Sequence, residues 1–195
     1  MYFMKSYFLI IIVFNFFMNE YTAQEKFEKE YRIFSNEVPK KSLQTIKIWK
    51  LNNKVKWYAE DSNDGKTFEA KVCFKSYDYS IEFATNGSLL DVEKTIKFSE
   101  LPIQTQQKLK ETLAKKFVKF KIKKVQIQYT GTEMQIYKAI FQQKIIQTKA
   151  VVHYEIICKA KLKNTYALYE LLFTENGDII KELIFKSLNS LNLEF

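Results

Sequence analysis

The stretch "YSIEFATNGSLLDVE", residues Tyr79–Glu93, reads as two strands joined at Asn86-Gly87. Tyr79, Ile81 and Phe83 alternate with polar positions before the turn, and apolar residues resume after it. Asn-Gly between such runs is the strongest short-range hairpin signal, because both central residues of a type I′ turn need positive φ. Nearly the same shape returns late in the chain: "FTENGDII", Phe173–Ile180, matches "FATNGSLL", Phe83–Leu90. One such hairpin is common, but two with matching flanks point to an internal duplication.

The chain's two prolines support the same reading. "IFSNEVP", ending at Pro39, resembles "KFSELP", ending at Pro102, and each precedes a helical pattern. Leu43, Ile46 and Trp49 follow the first, while Leu109, Leu113 and Phe117 follow the second, at spacings of three to four residues. Proline suits a helix start, and Ser35 with Glu37, or Ser99 with Glu100, strengthens it. After each helix come strands, "VKWYAE" and "TFEAKVCFK" in the first half, "FKIKKVQIQY" and "VVHYEIICKAKL" in the second, and then the Asn-Gly hairpin. The apolar phase slips near Lys123-Lys124, which predicts a β-bulge there. The expected fold is therefore α+β: two tandem units, each a helix packed on an antiparallel meander of about four strands. Residues 24–95 form the first unit and 96–195 the second, with an insertion near 131–150.

The N-terminus has the layout of a secretory signal peptide over residues 1–23. Lys5 precedes an apolar run from Tyr7 to Met18, and cleavage is expected after Ala23. The run falls short of the roughly 20 residues that a membrane span needs. The expected location is periplasmic or secreted, and the mature chain is not expected to be an integral membrane protein. Net charge is +9, and losing Lys5 with Glu20 leaves it unchanged. Export argues against nucleic acid as the partner of this basic surface. Two cysteines in an exported chain invite a disulfide. However, Cys73 falls on the polar phase of its strand and Cys158 on the apolar phase, so they point to opposite faces.

Residues for catalysis are scarce. His153 is the only histidine, on the polar phase of its strand, and no Gly-x-Ser-x-Gly element accompanies it. "DSNDGKTFE" has Val72 where an EF-hand needs its closing Glu, so it reads as a polar turn. Neither catalytic, cofactor-binding nor metal-ligating residues are expected. The densest basic stretch is "LAKKFVKFKIKK", where Lys119, Lys121 and Lys123 share the polar phase of a strand. They are candidates for docking an acidic protein or an anionic envelope surface, although lysines also suit the end of a helix. Tyr58, out of phase with Trp57 and Ala59, is a candidate aromatic anchor on the open sheet face.

The motif from Tyr79 to Glu93, followed by "FSELP" at Phe98–Pro102, resembles the PepSY-like, β-lactamase-inhibitor-like proteins exported by Bacteroidetes-type bacteria. Tyr169 to Glu182 reads as a second copy. The resemblance implies protein binding, with inhibition as one form of it, and transfers no catalytic residue. The function expected is that of an exported, non-enzymatic binding protein, acting as modulator or inhibitor of a protein partner in the cell envelope. The alternative is an envelope-surface module that holds anionic glycolipid or polysaccharide on its lysine-rich face.

Overall fold

The computed structural model describes residues 24–51, 54–142 and 149–185. The expected signal segment, its cleavage point and residues 143–148 of the expected insertion lie outside the described residues. Ten strands and three helices follow in order: β1 Gln24–Lys26, β2 Glu28–Ile33, α1 Lys40–Ile48, β3 Lys56–Ser62, β4 Gly65–Phe74, β5 Tyr77–Ala84, β6 Leu89–Ile96, α2 Ile103–Lys116, β7 Lys119–Thr130, α3 Glu133–Phe141, β8 Val151–Leu162, β9 Thr165–Phe173 and β10 Ile179–Phe185.

All ten strands belong to one sheet, in the order β1-β10-β9-β8-β7-β6-β5-β4-β3-β2. This overturns the expected pair of helix-plus-meander units. β6 and β7 pair antiparallel from Asp91↔Thr130 to Ile96↔Val125, so the ladder runs without a break between the halves. The two edges are also joined. β1 pairs parallel with β10, whereas β2, one residue further on, pairs antiparallel with β3. One extended segment thus serves both edges, and the sheet curls into a near-barrel. Closure removes the unpaired edges that two separate meanders would expose. The β3–β4 turn clasps the seam: Asn63 accepts from the Phe27 N–H at 2.7 Å and donates to the Glu25 carbonyl at 3.0 Å. Asp64 adds an ion pair with Lys181 of β10 at 3.2 Å.

Alternation puts the apolar phase of each strand outward, beneath the helices. Ile46 and Trp49, at the end of α1, pack with Trp57, Ile81, Phe83 and Val92 in one core. Leu109 and Leu113 of α2 pack with Phe117, Ile156, Tyr169, Leu171 and Phe173 in a second. Within the expected insertion, α3 covers the first core: its Phe141 ring meets Trp49 at 5.6 Å and Phe74 at 5.2 Å, edge-on in both. Both Asn-Gly turns form, and they share one hydrogen-bond pattern. Gly87 N–H donates to Ala84 O at 2.8 Å and Gly177 N–H to Thr174 O at 3.0 Å. Only the glycines are left-handed, at φ 78° and 83°, so these are not the two-residue type I′ turns that the dipeptide suggests. Pro39 and Pro102 stand at the N-caps of α1 and α2, as the spacing predicts. The ladder shifts between Ile122 and Lys124, where the phase slip placed the bulge.

The end of α1 carries a testable local cost. Leu51 N–H bonds Ile46 O at 3.1 Å and Lys50 N–H bonds Lys47 O at 3.1 Å, the two bonds of a Schellman motif. Lys50 occupies its left-handed position at φ 58°, where glycine is favoured. Lys50→Gly is expected to stabilise the protein by about 0.5–1 kcal/mol in urea unfolding.

Candidate functional site: the polar inner face of the near-barrel

The opposite phase of each strand faces inward. The registers lay polar side chains in rows around the wall. One row runs Glu69, Glu82, Asp91 and Thr130 from β4 to β7. The next runs Lys71, Ser80, Glu93, Gln128 and His153 from β4 to β8. Glu60 of β3, Glu155 of β8 and Glu170 of β9 complete a belt of carboxylates. Curvature brings its members together, since Glu93 of β6 feels the charges of both Glu69 on β4 and Glu170 on β9.

Gathering carboxylates in a half-buried space disfavours their ionisation. Burial pushes the Glu60 carboxyl up to about 8, with Glu28 and Glu82 adding to the shift. Burial likewise raises Glu69 to about 7, against the pull of Lys71 and a hydrogen bond from Ser80. Asp91, Glu93 and Glu155 are held well above the usual carboxylate range, first by burial and then by one another and neighbouring acids. Hydrogen bonds organise the belt: Gln126 donates to Glu93 at 2.7 Å and Gln128 to Asp91 at 3.1 Å.

Lysines counter part of this charge, with Lys124 of β7 acting on Glu93 and Glu155. Lys26, on the closing segment, pairs with Glu170 at 2.5 Å and with Glu28. Burial works against its charge, but Glu170, Glu28 and Glu155 hold its ammonium above the ordinary lysine range. Lys71 bonds Glu30 at 2.5 Å and lies 3.4 Å from Glu69. These links tie β1 to β9 and β2 to β4, on either side of the seam. Among the described residues, no group of three or more His, Cys, Asp or Glu side chains is disposed to hold a metal ion.

The residues singled out from sequence all lie on strands of this sheet. Tyr58 is half-buried on the inner face of β3, opposite Arg32 and Glu69, with Lys71 Nζ 4.7 Å from its ring centre. Lys119 and Lys121 stand exposed at the start of β7, and Lys123 at its bulge. Lys119 lies directly opposite Lys161, and Lys121 opposite Lys159. Tyr166 of β9 sits beside them, with the Lys159 and Lys161 ammoniums 5.8 and 5.9 Å from its ring centre. The inner face thus carries acids along its middle and a lysine quartet at one end. His153 faces the same interior, half-buried rather than solvated, and its Nδ1 finds no hydrogen-bond partner among the described residues. Cys73 is exposed on the polar face of β4 and Cys158 is buried in the second core, on opposite faces as the alternation predicts. Burial pushes the Cys158 thiol up to about 12.

Sequence reasoning missed the carboxylate belt. The signal was present as acids recurring on the polar phase of β3, β4, β5, β6, β8 and β9. Without the closure by residues 24–33, that phase reads as ordinary solvated surface.

No family model matches the chain, and no curated protein is similar to it in sequence. Solved structures are similar in fold. A DUF2874 family protein from Bacteroides ovatus aligns at a TM-score of 0.51 with 15% identity, over 75% of this chain and 87% of its own. A Bacteroides eggerthii protein described as "putative periplasmic" gives 0.51 and 12%, over 75% and 88%. The chain shares their fold. A BLIP-like protein from Bacteroides fragilis aligns at 0.47 with 15% identity, over 75% and 86%. These structures support neither the two-unit nor the PepSY part of the expected resemblance. Among the described residues, no helix is long and apolar enough to cross a membrane.

Proposed function

We propose that this chain is an exported, non-enzymatic binding protein that holds a protein partner on the polar inner face of its sheet. One observation carries the reading: the three α-helices among the described residues pack on the apolar face, while the other face is left lined with charged and hydrogen-bonding side chains. A concave wall with acids in its middle and lysines at one end offers charge complementarity to a segment of opposite polarity. The signal-like N-terminus and a fold shared with a protein described as periplasmic support an envelope location. The test is capture of partners from periplasmic and surface fractions by the immobilised mature protein, identified by mass spectrometry. Enrichment of a protein that is weakened by salt and by Lys119→Glu/Lys121→Glu is expected. A capture profile identical to that of an unrelated basic protein would sink the proposal.

The lysine quartet favours a second reading. Like charges directly opposite on neighbouring strands are unfavourable unless an anion sits between them. Lys119, Lys121, Lys159 and Lys161 would then hold anionic glycolipid or polysaccharide over Tyr166. Salt-sensitive binding to vesicles carrying anionic glycolipid, abolished by Lys119→Glu/Lys121→Glu/Lys123→Glu, is the outcome specific to this reading.

A further inference from the structure

On the helix-covered face, β6 departs from its apolar neighbours at one position. Lys94 lies opposite Tyr79 and Ile127, both of which pack with the first core. Its ammonium is 3.4 Å from the ring centre of Tyr77. A cavity of about 190 Å³ opens beside it, lined by Phe74, Lys75, Tyr77, Tyr79, Lys94 and Tyr129, with α3 closing one side. At ~30 Å³ of liquid volume per water, that holds roughly six waters, or one small organic molecule.

The chemistry of the lining is specific. Tyr79 and Tyr129, at 7% and 5% exposure, turn their rings to this cavity. The Tyr77 hydroxyl donates to Glu100 at 2.7 Å, which fixes its ring beneath Lys94. At the mouth, Lys75 and Ser76 turn the chain at φ 49° and 67°, left-handed conformations that neither residue favours. A second ammonium, that of Lys75, is thereby placed at the lip. Burial holds the Lys94 amine below the usual lysine range, with Glu100 pulling the other way. An ammonium, phenolic side chains and aromatic walls together suit a flat body that ends in an anionic group.

We propose that this cavity is a binding site for a small aromatic carboxylate, with its carboxylate on Lys94 and the Tyr79 and Tyr129 hydroxyls and its ring against Phe74 and Tyr77. The site is independent of the inner face and of the partner reading, because it lies on the other side of the sheet.

Benzoate is the probe. Titration of the mature protein, followed by tyrosine fluorescence and by NMR shifts of the Lys94 and Tyr129 amides, is expected to saturate in the millimolar range. Lys94→Met, which keeps the aliphatic stem, is expected to weaken benzoate at least tenfold. Tyr129→Phe, which keeps the ring, is expected to weaken it about threefold, a loss that misfolding of the lysine variant could not mimic. Acetate is expected to bind at least tenfold more weakly than benzoate. Lys119→Glu/Lys121→Glu should leave benzoate binding unchanged, which separates this site from the partner surface. The absence of saturable benzoate binding, equal binding by Lys94→Met of unchanged melting temperature, or equal binding of acetate would each overturn the proposal.

Discussion

Replacing Gly87 or Gly177 by alanine is expected to cost about 3 kcal/mol of stability, while the same change at Gly65 costs only about 1. The three glycines share positive φ, at 78°, 83° and 109°, but not surroundings. A Cβ on Gly87 would lie 2.9 Å from the Lys41 Cβ and 3.0 Å from the Pro39 Cβ, at the start of α1. On Gly177 it would lie 2.9 Å from the Lys108 Cβ and 3.3 Å from the Lys108 carbonyl carbon, in α2. These neighbours are backbone or the roots of side chains, so they cannot swing away. At Gly65 nothing stands within 4 Å. The turns are also tied down, with Thr112 Oγ1 donating to Gly177 O at 2.8 Å and Lys41 Nζ to Ser88 Oγ at 3.0 Å. Alanine must therefore either push the helix from the sheet or break the turn. Urea unfolding of the three single variants provides the comparison, and equal losses at all three sites would show that contact with the helices contributes nothing.

The protein is expected to be more stable near pH 5.5 than near pH 8.5, unlike domains whose acids gain stability from ion pairing. Glu60 and Glu69 have folded-state values raised to about 8 and about 7, against ordinary values of 4.5. The folded state thus holds protons that the unfolded chain releases. Stability from these groups is fully present below about pH 4.5 and is lost as pH rises through 7 for Glu69 and 8 for Glu60. After discounting for the water that reaches them, each contributes on the order of 1 kcal/mol, so the pair accounts for about 2. Melting in a His153→Gln background, which removes the chain's one histidine, gives the cleanest readout. Glu60→Gln/Glu69→Gln should flatten the profile and raise stability at pH 8.5. A wild type more stable at pH 8.5 than at 5.5 would show that the inner carboxylates are fully hydrated in the fold.

Both predictions turn on features of unequal legibility. The glycine turns were readable because Asn-Gly between alternating runs has few other uses. Their docking on α1 and α2 was not, since contact with a helix leaves no local trace. The carboxylate belt stood in the sequence residue by residue, as did Tyr58 and the lysines at 119, 121 and 123. What it lacked was a partner across space. Glu69 and Glu170 lie on strands far apart in the chain and meet at Glu93 only because the sheet curls. Lys159, Lys161 and Tyr166 join the candidate lysines only through the β7–β8–β9 register.

Residue pattern alone determined the strands of the two meanders, the starts of α1 and α2 at their prolines, the bulge near Lys123 and the opposed faces of the two cysteines. Each depends on neighbours within a few positions, where period and φ preference act directly. Tertiary structure decided that all the described strands share one sheet, that α3 completes the first core, and that Gln24–Ile33 joins the outer strands. Strand edges pair with any compatible edge, and nothing local in a short polar strand specifies which one. The choice made by that segment turns a flat sheet face into a concave, acid-lined wall.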